Sequence, residues 1–148
     1  WDDSLVDPDN RRPVDFERRR ELLRRLDSGW LPDIDDSGAA KLLLVRSVLR
    51  LRRDDPARFT GYHPLYADGP AAAHALAFSR GQARRIVALA TRLPIGLTRT
   101  GGWADTTLTL PFAAGWRDAI TGTVHDGLEV LVAEVLARYP VALLVERE

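Results

Sequence analysis

The chain has 148 residues, 45% of them hydrophobic, with 21 basic and 21 acidic side chains and a formal net charge of zero. That length suits one domain of roughly 100–150 residues with a sizeable core, and the balanced charge excludes the basic surplus that a nucleic-acid partner requires. The absence of cysteine removes disulfide and thiol chemistry, the three widely spaced histidines argue against a zinc site, and no run of about 18 apolar residues is present to span a membrane.

The first stretch, Trp1 to Asp15, reads W-D-D-S-L-V-D-P-D-N-R-R-P-V-D and is dense in charge. Asp7-Pro8-Asp9-Asn10 has turn composition, because Asp and Asn side chains bond their own backbone and Pro8 fixes φ. Pro13 holds Arg12 extended. The N-terminus lacks the basic-then-apolar pattern of a secretory leader, and the absence of cysteine fits the cytoplasmic protein that is expected. Methionine is absent and the chain opens on Trp1, so a piece of a longer polypeptide is expected.

Asp15 is placed to cap a helix from Phe16 to about Asp27, with Glu17 in the first turn. Phe16, Leu23, Leu26 and Trp30 fall on one broad apolar face, with Leu22 beside it. Arg18, Arg19, Arg20, Arg24 and Arg25 fill the rest, a solvated face rather than a nucleic-acid patch. Gly29 ends the helix. Residues 30–38 form a loop, and a second, more buried helix is expected from about Ser37–Ala40 to Arg53 or Asp54, before Pro56. Its face is Leu42, Val45, Val48, Leu49 and Arg52, widened by Leu43, Leu44 and Leu51. Two such helices need a partner surface.

From Phe59 onward glycines punctuate short apolar runs. Strands are expected at Tyr62–Ala67, Ala75–Arg80, Arg85–Thr91, Thr106–Leu110, Trp116–Ala119 and Val141–Val145. A strand-like Leu128–Val130 leads into a short helix, Val132–Arg138. Ile86, Ala88 and Ala90 alternate with Val87 and Leu89, apolar on both faces, which suits a central strand. Leu108 and Leu110 alternate with Thr107 and Thr109, as in a half-buried strand. Such spacing indicates a sandwich or small barrel.

Chemistry-bearing groups concentrate in the opening stretch. Asp2, Asp3, Asp7 and Asp9 offer carboxylates, but the fixed spacing of a calcium loop is absent. Three readings are open: acid–base chemistry, a salt-bridged connector into the helix, and sugar binding. The last follows from Asp9, Asn10, Arg11 and Arg12 at consecutive positions, since planar carboxylate, amide and guanidinium groups match vicinal hydroxyls. Trp103, Trp116, Tyr62 and Tyr66 fit packing roles better than an exposed carbohydrate platform. His63, His74 and His125 read as surface or edge residues, and Gly101-Gly102 as a turn.

S-L-V-D-P-D-N-R-R-P-V-D-F at 4–16 resembles the segment near the end of the catalytic barrel of the malto-oligosyltrehalose synthase family, within the alpha-amylase superfamily. The likeness continues in K-L-L-L-V-R-S-V-L-R-L-R-R at 41–53, P-A-R-F-T-G-Y at 56–62, G-G-W-A-D-T-T-L-T-L-P at 101–111 and L-A-R-Y-P-V-A-L-L at 136–144. It implies the end of a (β/α)8 barrel, a loop plus two helices over residues 1–56, followed by an antiparallel β-sandwich C-terminal domain over 57–148.

The family's activity is an intramolecular transglucosylation of the isomerase class. It turns the reducing-end α-1,4 linkage of a maltodextrin into an α,α-1,1 linkage, in trehalose biosynthesis. The resemblance implies a maltooligosaccharide substrate, the upstream catalytic barrel of the same protein as partner, and no metal or organic cofactor. It places no catalytic carboxylate in this chain. Asp7, Asp9, Asn10, Arg11 and Arg12 would instead line the barrel rim and hold the terminal glucose. A non-catalytic structural or carbohydrate-binding β module, or the C-terminal part of another maltodextrin-acting hydrolase or transferase, are the alternatives.

Overall fold

A computed structural model describes residues 14–147. The chain divides into two compact units, Trp1–Leu43 and Leu44–Glu148, with the second helix crossing the division. Helix α1 spans Phe16–Asp27. Its cap is the one expected: Asp15 Oδ1 accepts from Arg18 N at 2.8 Å, satisfying an amide that the helix leaves open. Ser28 closes the other end and Gly29, at φ 87°, turns the chain away. The buried seam is Leu22 and Leu26. Phe16, expected on that seam, is 64% exposed. At about 100° per residue, Phe16 and Leu23 share an azimuth offset from the Leu22–Leu26 line, so the apolar stripe is wider than the surface covering it.

The arginine face is solvated and ion-paired, with Arg20 at 3.2 Å and Arg24 at 3.6 Å from Glu17, and Arg18 at 3.6 Å from Glu21. Arg25 lies 3.8 Å over the Trp30 ring. Asp35 accepts from both the hydroxyl and the N–H of Ser37. The Ser37 hydroxyl bond foremost holds the Asp35 carboxyl below its usual range.

Helix α2 spans Ala39–Asp54 and buries Ala39 and Leu43 fully. Val45 and Leu49, expected on its inner face, are exposed. The same reason applies: the apolar surface exceeds what the described residues cover. Pro56 opens a short 3-10 turn, Pro56–Phe59, as a proline at a helix start can.

The second unit is built on strands β1 His63–Leu65, β2 Ala67–Asp68, β3 Ala75–Arg80, β4 Ile86–Thr91, β5 Thr107–Asp118, β6 Val124–Leu131 and β7 Val141–Glu146. Helices α3 Pro94–Arg99 and α4 Val132–Val135 interrupt them. All seven strands form one antiparallel sheet in the order β1-β3-β4-β7-β5-β2, with β6 on β5. Residues 63–68 supply both ends of that order, β1 paired with β3 and β2 paired with β5. The sheet therefore curls, and the antiparallel β domain implied by the sequence is present as this curled sheet. The same switch of partners splits the expected strand Tyr62–Ala67 in two at Tyr66.

Strand β5 is the spine, and joins two runs that the sequence had suggested were separate. Pro111 lies between those runs and cannot donate to a ladder. The β5–β6 register shifts between Thr109 and Ala114, so the missing N–H falls where the ladder is interrupted. Helix α3 was not anticipated. The expected helix Val132–Arg138 shortens to α4.

Ala77, Val87, Leu89, Leu108, Trp116 and Leu144 belong to the core inside the curl. Ile86 and Leu143 are buried too, on the opposite face of the β4–β7 pair, as the two-sided apolar pattern of β4 predicts. Fully burying one such side chain contributes about 1.5–3 kcal/mol.

Candidate functional site

The sugar-binding residues expected from sequence, Asp7, Asp9, Asn10, Arg11 and Arg12, lie outside the described residues. The chemistry within the second unit is therefore built from other groups. A cleft of about 600 Å³ opens between the C-terminal half of α2 and the ends of β5 and β7. Arg46, Arg50 and Asp54 share one face of α2 at four-residue spacing, with Ser47 and Leu51 beside them. Arg58 comes from the 3-10 turn, and Arg117, Val145 and Arg147 from the sheet.

The register explains the sheet side. Arg117 is the cross-strand partner of Val145, and Arg147 lies two residues on, so all three share a face. Arg147 N donates to Gly115 O at 2.8 Å, extending the ladder past the end of β7. Arg58 Nε lies 2.8 Å from Asp55. The two acids lining the cleft are paired with arginines that do not line it: Asp54 with Arg53 at 2.7 Å and Glu146 with Arg85 at 3.0 Å. The Arg85 contact is an ion pair without a directed hydrogen bond on Glu146 Oε2.

Asp118 could be mistaken for a reactive carboxylate, being almost fully buried at the end of β5. Its oxygens accept from Ile120 N at 3.1 Å, Thr121 N at 3.2 Å, the Thr121 hydroxyl at 2.6 Å and Leu143 N at 3.1 Å. That set fixes the β5–β6 turn to β7, and four donors consume the carboxylate's capacity. Thr106 is similarly structural: its hydroxyl accepts from Ala71 N at 3.0 Å, and its backbone packs against Gly69, where a Cβ would meet Thr106 Cα at 2.8 Å.

Among the aromatics, Trp116 is in the core and Trp103 packs against it, as the packing reading expects. Tyr62 and Tyr66 are exposed, Tyr66 by 82%, and Tyr62 stacks on Phe78 at 5.1 Å between ring centroids. His74 Nδ1 lies 3.3 Å from Arg92 O, an edge role. Among the described residues no group of three His, Asp or Glu side chains is placed to hold a metal, and no helix is long and apolar enough to cross a membrane.

The arginine cleft was missed in the sequence. Arg46 and Arg50 share a helix face and were visible as such, but Arg117 and Arg147 join them only through the pairing of β5 with β7.

No protein-family model matches the chain. A Mycobacterium tuberculosis protein assigned as a maltooligosyl trehalose synthase is 45% identical over 147 residues, 98% of this chain, and its counterpart in a second strain gives the same figures. Two structures of maltooligosyltrehalose synthase from Arthrobacter ramosus match at 54% identity over 99% of the chain, with TM-scores of 0.90 and 0.91. The chain belongs to the maltooligosyltrehalose synthase family. It represents a C-terminal portion, within the alpha-amylase superfamily. The chain spans 17% of the length of the Mycobacterium relatives and 19% of the Arthrobacter synthase. A glycosyltrehalose synthase at 23% identity and TM-score 0.62 shares the fold.

The strings that carry the family likeness within the described residues, those after the one at 4–16, sit at structural joints. Residues 41–53 supply α2 and the helical wall of the cleft. In 56–62, Phe59 O accepts from the Arg80 guanidinium, tying the 3-10 turn to β3. Residues 101–111 hold the Thr106 anchor and the start of β5, and 136–144 the buried Leu136, Tyr139 and β7.

Proposed function

We propose that this chain is the C-terminal part of an enzyme that converts the reducing-end α-1,4 linkage of maltodextrins to an α,α-1,1 linkage by intramolecular transglucosylation. The likeness to the Arthrobacter synthase over nearly the whole chain is the observation that carries this reading. Residues 1–56 form the last loop and helices of the catalytic barrel, and 57–148 a supporting β domain. The bond-breaking carboxylates come from the rest of the polypeptide. One attacks the anomeric carbon to give a glycosyl-enzyme, and the other protonates the leaving oxygen and later takes a proton back. The released glucose turns so that its own C1 hydroxyl attacks, with water kept out.

Asp7, Asp9, Asn10, Arg11 and Arg12 hold that glucose at the barrel rim. Asp9 and Asn10 bond its hydroxyls, and Arg11 or Arg12 pairs with a carboxylate or clamps the loop. Positioning of this kind contributes to turnover rather than to folding. In the full-length protein, Asn10→Ala is therefore expected to lower kcat on maltopentaose by about tenfold or more with little change in Tm, a loss of roughly 1.4 kcal/mol in the transition state. A large fall in Tm with kcat preserved would assign Asn10 to the connector role instead.

A further inference from the structure

The sheet of the second unit is apolar on both faces, and the curl closes only the inner one. Strand register defines the outer one. Pro64, Phe78, Ala88 and Leu143 form one cross-strand row and Leu76, Ala90 and Val141 the next, with no charged side chain in either. On β4 the small Ala88 and Ala90 lie between larger side chains of β3 and β7, so the face carries a trough along β4. Ile86 ends the trough and is fully buried. There the chain supplies its own cover: Arg80, the cross-strand partner of Ile86, donates to Phe59 O in the turn that follows α2.

Away from that turn the same face is open. Leu76 is 49% exposed, Tyr62 56% and Tyr66 82%, and Pro64 is exposed between the two tyrosines. Tyr62 rests on the half-buried Phe78. Contiguous apolar surface of this kind marks a contact site, and tyrosine suits one because its ring packs while its hydroxyl bonds at the rim. In a layered domain, apolar sheet rows are covered by helices. The chain spans 17–19% of the length of its relatives, and the rest of such a polypeptide can supply one. We propose that the outer face of β1, β3 and β4 docks an apolar helix of the remaining polypeptide, extending the cover that begins at the turn after α2. The inference rests on the reading of this chain as part of a longer enzyme.

Photocrosslinking in the full-length protein tests this, with Tyr66→p-benzoylphenylalanine, which keeps an aromatic ring at the exposed position, and the products mapped by mass spectrometry. The expected product is an intramolecular cross-link to a peptide outside residues 1–148, at unchanged mass on a denaturing gel. A product of twice the mass would assign the face to a second copy, and loss of the cross-link on adding maltopentaose would assign it to the glucan. Either result overturns the proposal, as does a probe that reacts only with solvent. Leu76→Ser gives an independent reading: it should lower the Tm of the full-length protein by several degrees, and an unchanged Tm would contradict a covered face. Product analysis on the same variants keeps the surface apart from the reaction. A protein that makes the α,α-1,1 linkage without the cross-link overturns the surface alone. One that cross-links but only generates new reducing ends overturns the reaction and supports the surface.

Discussion

The two compact units differ in how far they satisfy themselves. The curled sheet of the second unit closes on its own core, with Trp116, Leu108 and Leu144 fully buried and the turn at Asp118 saturated with donors. Among the described residues of the first unit the buried apolar side chains are Leu22, Leu26, Pro32, Ala39 and Leu43, while Val14, Phe16 and Ile34 stand exposed. Both carry clear apolar periodicity. The difference teaches that periodicity reports the surface a helix is built to cover, whereas burial reports only the partners at hand. A segment spanning 17–19% of its relatives' length is where the two diverge.

The largest effect on that contrast should come from the self-sufficient side. Asp118→Ala leaves the buried amides of Ile120 and Leu143 without their acceptor, and is expected to cost about 2–4 kcal/mol in chemical denaturation. Asp118→Asn should recover part of it, since one oxygen remains an acceptor. A loss below about 0.5 kcal/mol, the level of an ordinary surface change, would mean that the sheet does not depend on this joint.

Phe16→Ser comes next and separates the units by context. In the chain alone it should change stability by no more than about 0.5 kcal/mol, because the ring is already solvated. In the full-length protein the same change should cost about 1.5–3 kcal/mol, the value of a covered ring. Equal, small losses in both would show that the first unit's apolar face is never covered.

The smallest effect is the pH response of Asp35 in the first unit. Its carboxyl is held below the ordinary carboxylate range, first by the Ser37 hydroxyl and then by the Ser37 N–H. A depressed acid contributes stability above its unfolded value and loses it as pH falls through the folded one. Ser37→Ala should therefore bring the NMR-monitored titration of Asp35 up toward the ordinary carboxylate range, with little change in Tm at neutral pH because the group is exposed. An unmoved titration would remove the hydroxyl as the cause.

Much of this was legible in the residues. Asp15, Gly29 and the two helices follow from capping chemistry and period, and the two-sided burial of β4 from its unbroken apolar run. Long-range partnering was not legible. Residues 62–67 read as one strand because nothing local marks a change of partner at Tyr66. The runs 106–110 and 116–119 read as two strands, because nothing local shows that Pro111 falls where a register shift leaves its missing donor harmless. Leu93, at φ 51° before Pro94, starts α3 from a left-handed conformation that an apolar side chain rarely adopts, so propensity gave no hint of it. At the proposed site the sequence offered residue types and a family likeness, and the roles of Asp9 and Asn10 rest on those. The arginine cleft went the other way: invisible in the chain order, it is assembled by the β5–β7 pairing.

Product analysis of maltopentaose, by anomeric proton NMR with the full-length protein and with this chain alone, bears on the whole reading. The full-length protein should convert the reducing-end signals to those of an α,α-1,1 linkage without releasing free glucose in proportion, and the isolated chain should leave the sugar unchanged. Turnover by the isolated chain, or a full-length protein that only generates new reducing ends, would contradict it.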